Sequence, residues 1–343
     1  MAEPPSPLRY TPDHVRHPAP HSRLRNVQMF RFTTRLRPGT PSLDVPCSRR
    51  LRSPSLFLLP ALLLLVSAGT PAIASVRAIA APAAQVLVGQ ISAEQFDHPT
   101  LLVYNTVQQF LSGDLEHIVT VRRVQGDLAA FPPGWPAEGV GATNTPGRTG
   151  ELIADGSAAA LHFWWADPAS PSQAQIFDLS DGDAGSDGQF PFLAVAVGNP
   201  DSAFTWEFDN VDDVHGWLKQ QLGDAGIELA GIQLRGQFGP VKTTVSYNIP
   251  STGLDLGGGY VGEDYFRFGN YGPATWTMDG VYAAAPSLQP IISTAGNPVH
   301  LHGYQPDSMI GGHITSAEAI HVTATIYPLD QVLIRRGSVP VAK

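Results

Sequence analysis

The chain has 343 residues and carries 21 Lys and Arg against 30 Asp and Glu, a net charge of −9. Residues 1–74 contain ten of the Arg and three of the acids, so the residues from Ser75 onward carry 11 basic and 27 acidic side chains, a net charge of −16. This charge excludes nucleic-acid binding through phosphate contacts and a polybasic membrane-binding patch.

Residues 1–74 have the features of an export leader. An apolar run of eleven residues, Leu56–Val66, follows a basic region and is too short to span a membrane. Small residues precede a predicted cleavage site before Ser75. We therefore expect a signal peptide at about 49–74 and a periplasmic or secreted protein without a membrane anchor after cleavage. The only cysteine, Cys47, lies in this leader, which leaves the mature chain without a disulfide, a thiolate ligand or a cysteine nucleophile.

Two features of the leader leave its start and its export route open. The basic region is unusually long, so residues 1–28 are alternatively untranslated sequence before a start at Met29. The stretch "SRRLRS" at Ser48–Ser53 resembles a twin-arginine signal, which exports folded, metal-loaded proteins. Arg52 occupies a position where that signal has an apolar residue.

The first elements after the leader are a linker, a strand and a helix. Residues 75–98 are rich in Ala and predict the linker. Leu101–Tyr104 predicts a short strand, and either Asn105 or Thr106 can cap the helix that follows it. The stretch "FPPGWPAEG" at 131–139 has too much Pro and Gly for a regular element and predicts a loop.

The middle of the chain predicts a hairpin, a loop, a strand and a helix. "GELIADGSAAALHFWW" at 150–165 predicts a hairpin that turns at Asp155-Gly156. "DLSDGDAGSDG" at 178–188 departs from the EF-hand ligand pattern and predicts a solvated loop. "FPFLAVAVG" at 190–198 predicts a buried strand. "DNVDDVHGWLKQQLGDAG" at 209–226 predicts an amphipathic helix.

From Ile227 onward the chain predicts strands almost throughout. Helix signals occur in the first half and strand signals dominate the second, which predicts an α+β fold with mixed or antiparallel sheets. We expect two sheet-containing halves, an N-terminal α/β half at 99–224 and a β-rich half at 225–343.

Three histidines lie close together in "VHLHGYQPDSMIGGHI" at 299–314. Alternate side chains of a strand share a face, so His300 and His302 project together. Gly311-Gly312 permits close backbone approach and can place His313 beside them. Three imidazoles with an open fourth position are typical of a catalytic zinc site. The alternative is two surface histidines and one in a turn; the third histidine after the double glycine favours the metal site.

This segment resembles acetolactate decarboxylase, whose signature is a G-x-H-x-H-x stretch followed by G-G-H at the same spacing. Three further stretches resemble that family in the family's order: "LLVYNTVQQFLSGDL" at 101–115, "GVGATNTPGRTGELIADG" at 139–156 and "AGIQLRGQFGPVKT" at 230–243. The resemblance covers most of residues 100–320, and the histidine segment is its specific part.

The resemblance implies a site built around zinc or another divalent metal. It makes His300, His302 and His313 the ligands and Glu151 the acidic residue that reaches the metal from the first half. Thr143 or Asn144 matches a threonine that contacts the substrate.

Two features of the family are missing from this chain. The family has an arginine directly after V-K-T that holds the substrate carboxylate, whereas this chain has Thr244. The carboxylate then requires Arg235 or one of Arg335 and Arg336. The family also returns a glutamate from its C-terminal tail to the metal, and residues 331–343 contain no acid.

The implied function is metal-dependent decarboxylation of a 2-hydroxy-3-oxo acid, such as 2-acetolactate to acetoin, weakened by the two losses. Two alternatives stay open: a zinc-dependent ester hydrolase and a non-catalytic module that binds a metal or a small ligand. The expected partner is the small-molecule acid, and whether the chain forms a homodimer is left open.

Overall fold

The structure is a computed structural model and describes residues 84–88, 93–145, 148–168, 175–178, 189–246, 249–250, 253–254 and 265–337. These residues belong to the compact unit Ala72–Lys343. The predicted leader, its cleavage site and nearly all of the predicted loop at 178–188 lie outside them. Within the described part of the chain, no helix is long and apolar enough to cross a membrane.

Strands make up most of the fold. Those before residue 225 are β1 Gln85–Val88, β2 Thr100–Tyr104, β3 Val119–Thr120, β4 Pro136–Thr145, β5 Arg148–Ser157, β6 Ala160–Asp167, β7 Gln175–Asp178, β8 Gln189–Phe190, β9 Phe192–Val197 and β10 Phe204–Val211. Those after it are β11 Leu229–Ser246, β12 Phe266–Tyr271, β13 Ala274–Ala283, β14 Val299–Gln305, β15 Ile310–Pro328 and β16 Gln331–Arg335.

The helices are short. They are α1 Val107–Leu111, α2 Val121–Leu128, α3 Val214–Asp224 and α4 Gln289–Ile292, with 3₁₀ turns at Ala93–Asp97 and Pro200–Ser202. As predicted, α1 follows a buried strand and is capped by Thr106, whose side chain accepts from the Gln109 backbone N–H in a capping box.

Among the described residues, fourteen strands form one hydrogen-bonded sheet in the order β1-β16-β2-β9-β4-β5-β6-β7-β15-β14-β13-β11-β12, with β10 paired to β15. A second pairing of β11 with β15 makes a closed circuit of β11, β13, β14 and β15. The pairs β1–β16 and β16–β2 are parallel and the other pairs of the large sheet are antiparallel. The predicted α+β class with mixed and antiparallel sheets is therefore confirmed.

The predicted hairpin forms, but it turns at a different place. Asp155 and Gly156 lie inside β5, and the chain reverses at Ala158-Ala159. Gly156 has a φ of +147°, and a Cβ there would press on the Ala160 carbonyl. The glycine therefore allows the two strands to approach closely and does not form a turn. Asp155 forms an ion pair with Arg235.

Two predicted irregular segments contain strands. β4 begins at Pro136, inside the predicted loop at 131–139. β1 lies inside the predicted linker at 75–98 and pairs in parallel with β16. Pro and Ala discourage strands locally, but strand partners supplied by distant parts of the chain override that preference.

The two predicted halves, 99–224 and 225–343, contribute neighbouring strands to the same sheet. β16 is hydrogen-bonded to β2, and β10 is hydrogen-bonded to β15. The division near residue 225 stays a prediction.

A layer of β4, β5 and β9 faces a layer of β11, β13 and β14. A Cβ on Gly231 of β11 would meet the Ala196 side chain of β9 at 2.7 Å, so the layers touch directly. Helix α3 packs on β15 through Val214, Leu218 and Leu222, all fully buried. The polar site described next lies between the two layers, beside α3.

Candidate metal centre

The structure brings the three predicted histidines together. β14 carries His300 and His302, and His313 on β15 is the register partner of His302. The three ring centroids are separated by 4.8, 4.9 and 5.2 Å. One nitrogen from each ring lies within 4.8 Å of the others, a separation that a shared metal ion can bridge.

The double glycine allows this approach. Gly312 has a φ of +151°, which favours glycine, and a Cβ there would meet the Thr244 carbonyl at 2.8 Å. A Cβ on Gly311 would collide with the Gly303 carbonyl of β14. Glycines therefore let β14, β15 and β11 close around His313, as the sequence predicts.

Backbone carbonyls orient two of the rings. Nδ1 of His302 lies 2.8 Å from the Leu152 carbonyl, and Nδ1 of His300 contacts the Ile292 carbonyl. A carbonyl can only accept, so each Nδ1 carries the hydrogen and each Nε2 presents a lone pair. The two Nε2 atoms lie 3.1 Å apart, where two lone pairs repel unless a cation or a proton lies between them. Such ring-to-carbonyl bonds are the usual support of metal-binding histidines.

Burial keeps the rings neutral. It lowers the pKa of His300 to about 4 and the pKa values of His302 and His313 well below the ordinary value, with the neighbouring imidazoles adding to the effect. Nδ1 of His313 is buried and has no hydrogen-bond partner in the structure. Neutral imidazoles are the form that binds metals, so the donor set fits a zinc-type ion.

Glu151 reaches the histidines from β5, in the facing layer. Its Oε2 lies 3.7 Å from Nε2 of His302, and its Oε1 accepts a 2.9 Å hydrogen bond from the Ser246 backbone N–H. Burial raises the pKa of Glu151 to about 7, against the opposing effect of hydrogen bonds from Ser246. The carboxyl can therefore exchange a proton near neutral pH beside the histidine nitrogens.

A cavity of about 600 Å³ opens onto the cluster. His300, His313 and Glu151 line its polar end, while His302 is buried behind them with 1% exposure. The walls are largely apolar side chains: Val107, Phe110, Leu111, Phe192, Val299 and Ile314.

Thr244 lines the cavity, and Thr143 does not. Thr244 is the register partner of His313, and Ser246 on the same face of β11 also lines the cavity, as strand parity predicts. In β4, Ala142 is the register partner of Glu151 and lines the cavity, whereas Thr143 lies on the other face of the strand. Asn144 is part of β4, but its side chain lies outside the described residues.

Arg235 does not line the cavity, and its predicted contact with the substrate stays a prediction. Its guanidinium pairs with Asp155 at 3.2 Å and is 54% exposed. The ion pair with Asp155 therefore engages Arg235 outside the set of described residues that line the cavity. Arg335 and Arg336 are also engaged elsewhere, with Asp127 and Asp114.

Three carboxylates, two of them buried and one half-buried, form a second cluster beside the histidines. Glu138, Asp155 and Asp279 lie close together, and Asp279 is the register partner of His302. Burial raises the pKa of Asp279 to about 8 and that of Glu138 well above its ordinary value, and nearby carboxylates add to both shifts. Protonated carboxyls therefore account for this cluster at neutral pH without a metal.

Two polar residues of α3 that were not predicted from the sequence, His215 and Lys219, also line the cavity. Burial lowers the pKa of His215, against opposing effects of Asp213 and the Ile314 backbone, and its Nδ1 has no hydrogen-bond partner within the described part of the chain. Their spacing of four places both on one helix face, which was the available signal.

The fold is similar to that of alpha-acetolactate decarboxylase from Bacillus subtilis strain 168, with a TM-score of 0.52 and 16% identity over 69% of this chain and 88% of that one. Acetolactate decarboxylase from Bacillus subtilis subspecies spizizenii matches with a TM-score of 0.49 and 16% identity over 69% of this chain and 89% of that one. A Staphylococcus aureus protein of unknown function, described as similar to alpha-acetolactate decarboxylase, matches with a TM-score of 0.49 and 14% identity over 69% of this chain and 88% of that one.

No protein-family model matches the chain, and no curated protein sequence matches it. The predicted resemblance is confirmed at the level of the fold: the chain has an acetolactate decarboxylase-like fold at low sequence identity.

Proposed function

We propose that this protein is a divalent-metal-dependent decarboxylase of 2-hydroxy-3-oxo acids, with 2-acetolactate and acetoin as the simplest substrate and product. The observation that supports it most directly is the pair of Nε2 atoms 3.1 Å apart in His300 and His302, with His313 and Glu151 beside them. This donor set lies on an acetolactate decarboxylase-like fold.

His300, His302 and His313 would hold the ion. A zinc-type ion bound there would supply Lewis acidity to neighbouring hydroxyl and carbonyl oxygens of a substrate. Fixed neutral ligands in a buried site suit this purpose, because charge that develops during reaction is stabilised more strongly away from water.

Glu151 would donate the proton that the reaction requires. Decarboxylation breaks the bond between carbon 2 and the carboxylate, releases CO₂ and moves the electron pair toward the adjacent carbonyl. Carbon 2 must then receive a proton on one face. The Ser246 N–H holds Oε1, which leaves Oε2 facing the histidines as the donating atom.

Zinc-loaded protein incubated with 2-acetolactate should release acetoin, and His302→Ala should abolish the release. His321→Ala is the matched control, because His321 is exposed on β15 and paired with Asp209. Acetoin formation that survives His302→Ala would contradict the proposal.

A zinc-dependent ester hydrolase is the second candidate. The cavity of about 600 Å³ is large for a five-carbon acid, and the small hydroxyl of Thr244 leaves space beside His313 for a bulkier acyl group. Hydrolysis of a simple aryl ester without turnover of 2-acetolactate, lost in His302→Ala, would favour this candidate. Bound metal with neither activity would favour a binding module.

A further inference from the structure

A substrate carboxylate in this cavity needs a cationic partner. The acid is ionised at neutral pH, and an unpaired charge is costly beside apolar walls. Among the described residues that line the cavity, Lys219 is the only lysine or arginine. It makes no ion pair within the described part of the chain, in contrast to Arg235 and Arg335.

Helix α3 is fixed in the fold by its cap and its core contacts, and it places Lys219 at the cavity. Asp213 caps the helix by accepting from the Gly216 N–H, and Val214, Leu218 and Leu222 anchor the neighbouring face of the helix in the core. The cavity side therefore carries His215 and, one turn later, Lys219. His215 and Lys219 are four residues apart, which corresponds to a rise of about 6 Å along the helix. The carboxylate of a 2-hydroxy acid and the hydroxyl next to it can together span this distance.

His215 connects this helix face to the histidine cluster. Its ring is close enough to His300 and His313 to affect them electrostatically. The residue lines the cavity, and its Nδ1 has no hydrogen-bond partner among the described residues.

We propose that Lys219, assisted by His215, holds the carboxylate of the substrate at the α3 wall of the cavity. The assignment rests on the proposed function for the identity of the acid. In this arrangement helix α3 supplies the positive charge. The family resemblance implies instead an arginine on a strand, at the position that Thr244 occupies in this chain. A lysine is a point charge on a flexible stem and orients a carboxylate less strictly than a bidentate guanidinium, so a range of 2-hydroxy acids should bind.

The test is a binding measurement on the zinc-loaded full chain, because binding needs no turnover. Calorimetric titration would compare 2,3-dihydroxy-2-methylbutanoate, which keeps the carboxylate and lacks the ketone, with 2-methylbutane-2,3-diol, in which methyl replaces the carboxylate. Lys219→Met should weaken binding of the acid roughly tenfold or more, because a charge-assisted contact is lost, and leave binding of the diol unchanged.

Matched variants complete the test. Lys219→Arg should retain most of the preference for the acid. Lys242→Met removes an exposed lysine of β11 outside the cavity and should change neither affinity. His215→Leu should weaken binding of the acid several-fold relative to the diol. Zinc content and circular dichroism of each variant separate loss of the contact from loss of the fold.

Equal affinity for the acid in Lys219→Met and the parent would overturn the assignment, and so would an equal loss for acid and diol. Acetoin assays keep this result apart from the proposed function. Loss of acid preference without any acetoin in the parent would support the carboxylate site and refute the decarboxylase. Acetoin formation with an unchanged KM in Lys219→Met would support the decarboxylase and refute the carboxylate site.

Discussion

Removing one histidine of the cluster should abolish the stabilisation that zinc gives to the fold. His302 is the sharpest choice, since its Nε2 lies 3.1 Å from that of His300 and its Nδ1 is fixed by the Leu152 carbonyl. Two remaining imidazoles make a poor zinc site, so His302→Ala should bind zinc weakly or not at all.

The size of the effect follows from mass action. Zinc at 100 times its dissociation constant stabilises a protein that binds it only when folded by about 2.7 kcal/mol. For a domain of this size each kcal/mol moves the melting temperature by about 2–4 °C, so zinc should raise it by roughly 5–11 °C. The neutral, buried ligands need no proton release before binding, so the shift should persist to mildly acidic pH.

The assay is differential scanning calorimetry of chelator-treated protein with and without added zinc. His302→Ala also leaves a cavity and an unpaired Leu152 carbonyl, so its own melting temperature will fall; the difference caused by zinc is the informative quantity. His321→Ala is the control, because His321 has a side chain that is 67% exposed and contacts Asp209 at 2.6 Å. A full zinc shift in His302→Ala, or its loss in His321→Ala, would refute the ligand assignment.

Four further predictions concern Glu151, Thr244 and Asp279. Glu151→Gln should lower kcat for acetoin formation by roughly 10²–10⁴-fold with zinc content unchanged, because a proton donor is lost; unchanged kcat would exclude Glu151 from proton transfer. In the parent, kcat should fall as pH rises through about 7, where Glu151 loses its proton; a rate that rises across this range would contradict a donor role. Thr244→Arg should raise kcat/KM for 2-acetolactate roughly tenfold to a hundredfold, since residue 244 lines the same cavity as Lys219 and the new guanidinium adds a second contact to the carboxylate; no gain in a folded, zinc-loaded variant would show that residue 244 does not reach the carboxylate. Asp279 has a raised pKa of about 8, so its contribution to stability is complete below the pKa of an unfolded aspartate and is lost as pH rises through about 8. Urea denaturation of metal-free protein at pH 5 and pH 8 should therefore show a smaller loss of stability with pH in Asp279→Asn than in the parent, and equal losses would refute the buried, protonated state.

The grouping of the three histidines was predictable because the residues are close together in the sequence. His300, His302 and His313 lie on two strands joined by a short turn, so strand parity and a double glycine bring them together. Glu151 was predicted only through the family resemblance. It meets His302 because one layer of strands faces another, and no spacing within the chain encodes that packing.

The errors share a physical cause. The sequence predicts a turn at Asp155, whereas the facing layers place it inside a strand and pair it with Arg235. His215 and Lys219 were missed because polar residues of an amphipathic helix ordinarily face water, and here that face borders a cavity.

The bond from His302 to the Leu152 carbonyl has a consequence for folding. It joins residues 150 positions apart, and the contact from Glu151 to Ser246 spans 95. Contacts between such distant residues form late, whereas the hairpin that carries the three histidines can form early. A nascent chain should therefore capture the ion loosely in the hairpin and retain it tightly only when β5 docks. The rate at which bound zinc becomes resistant to a chelator would then report the final step of assembly.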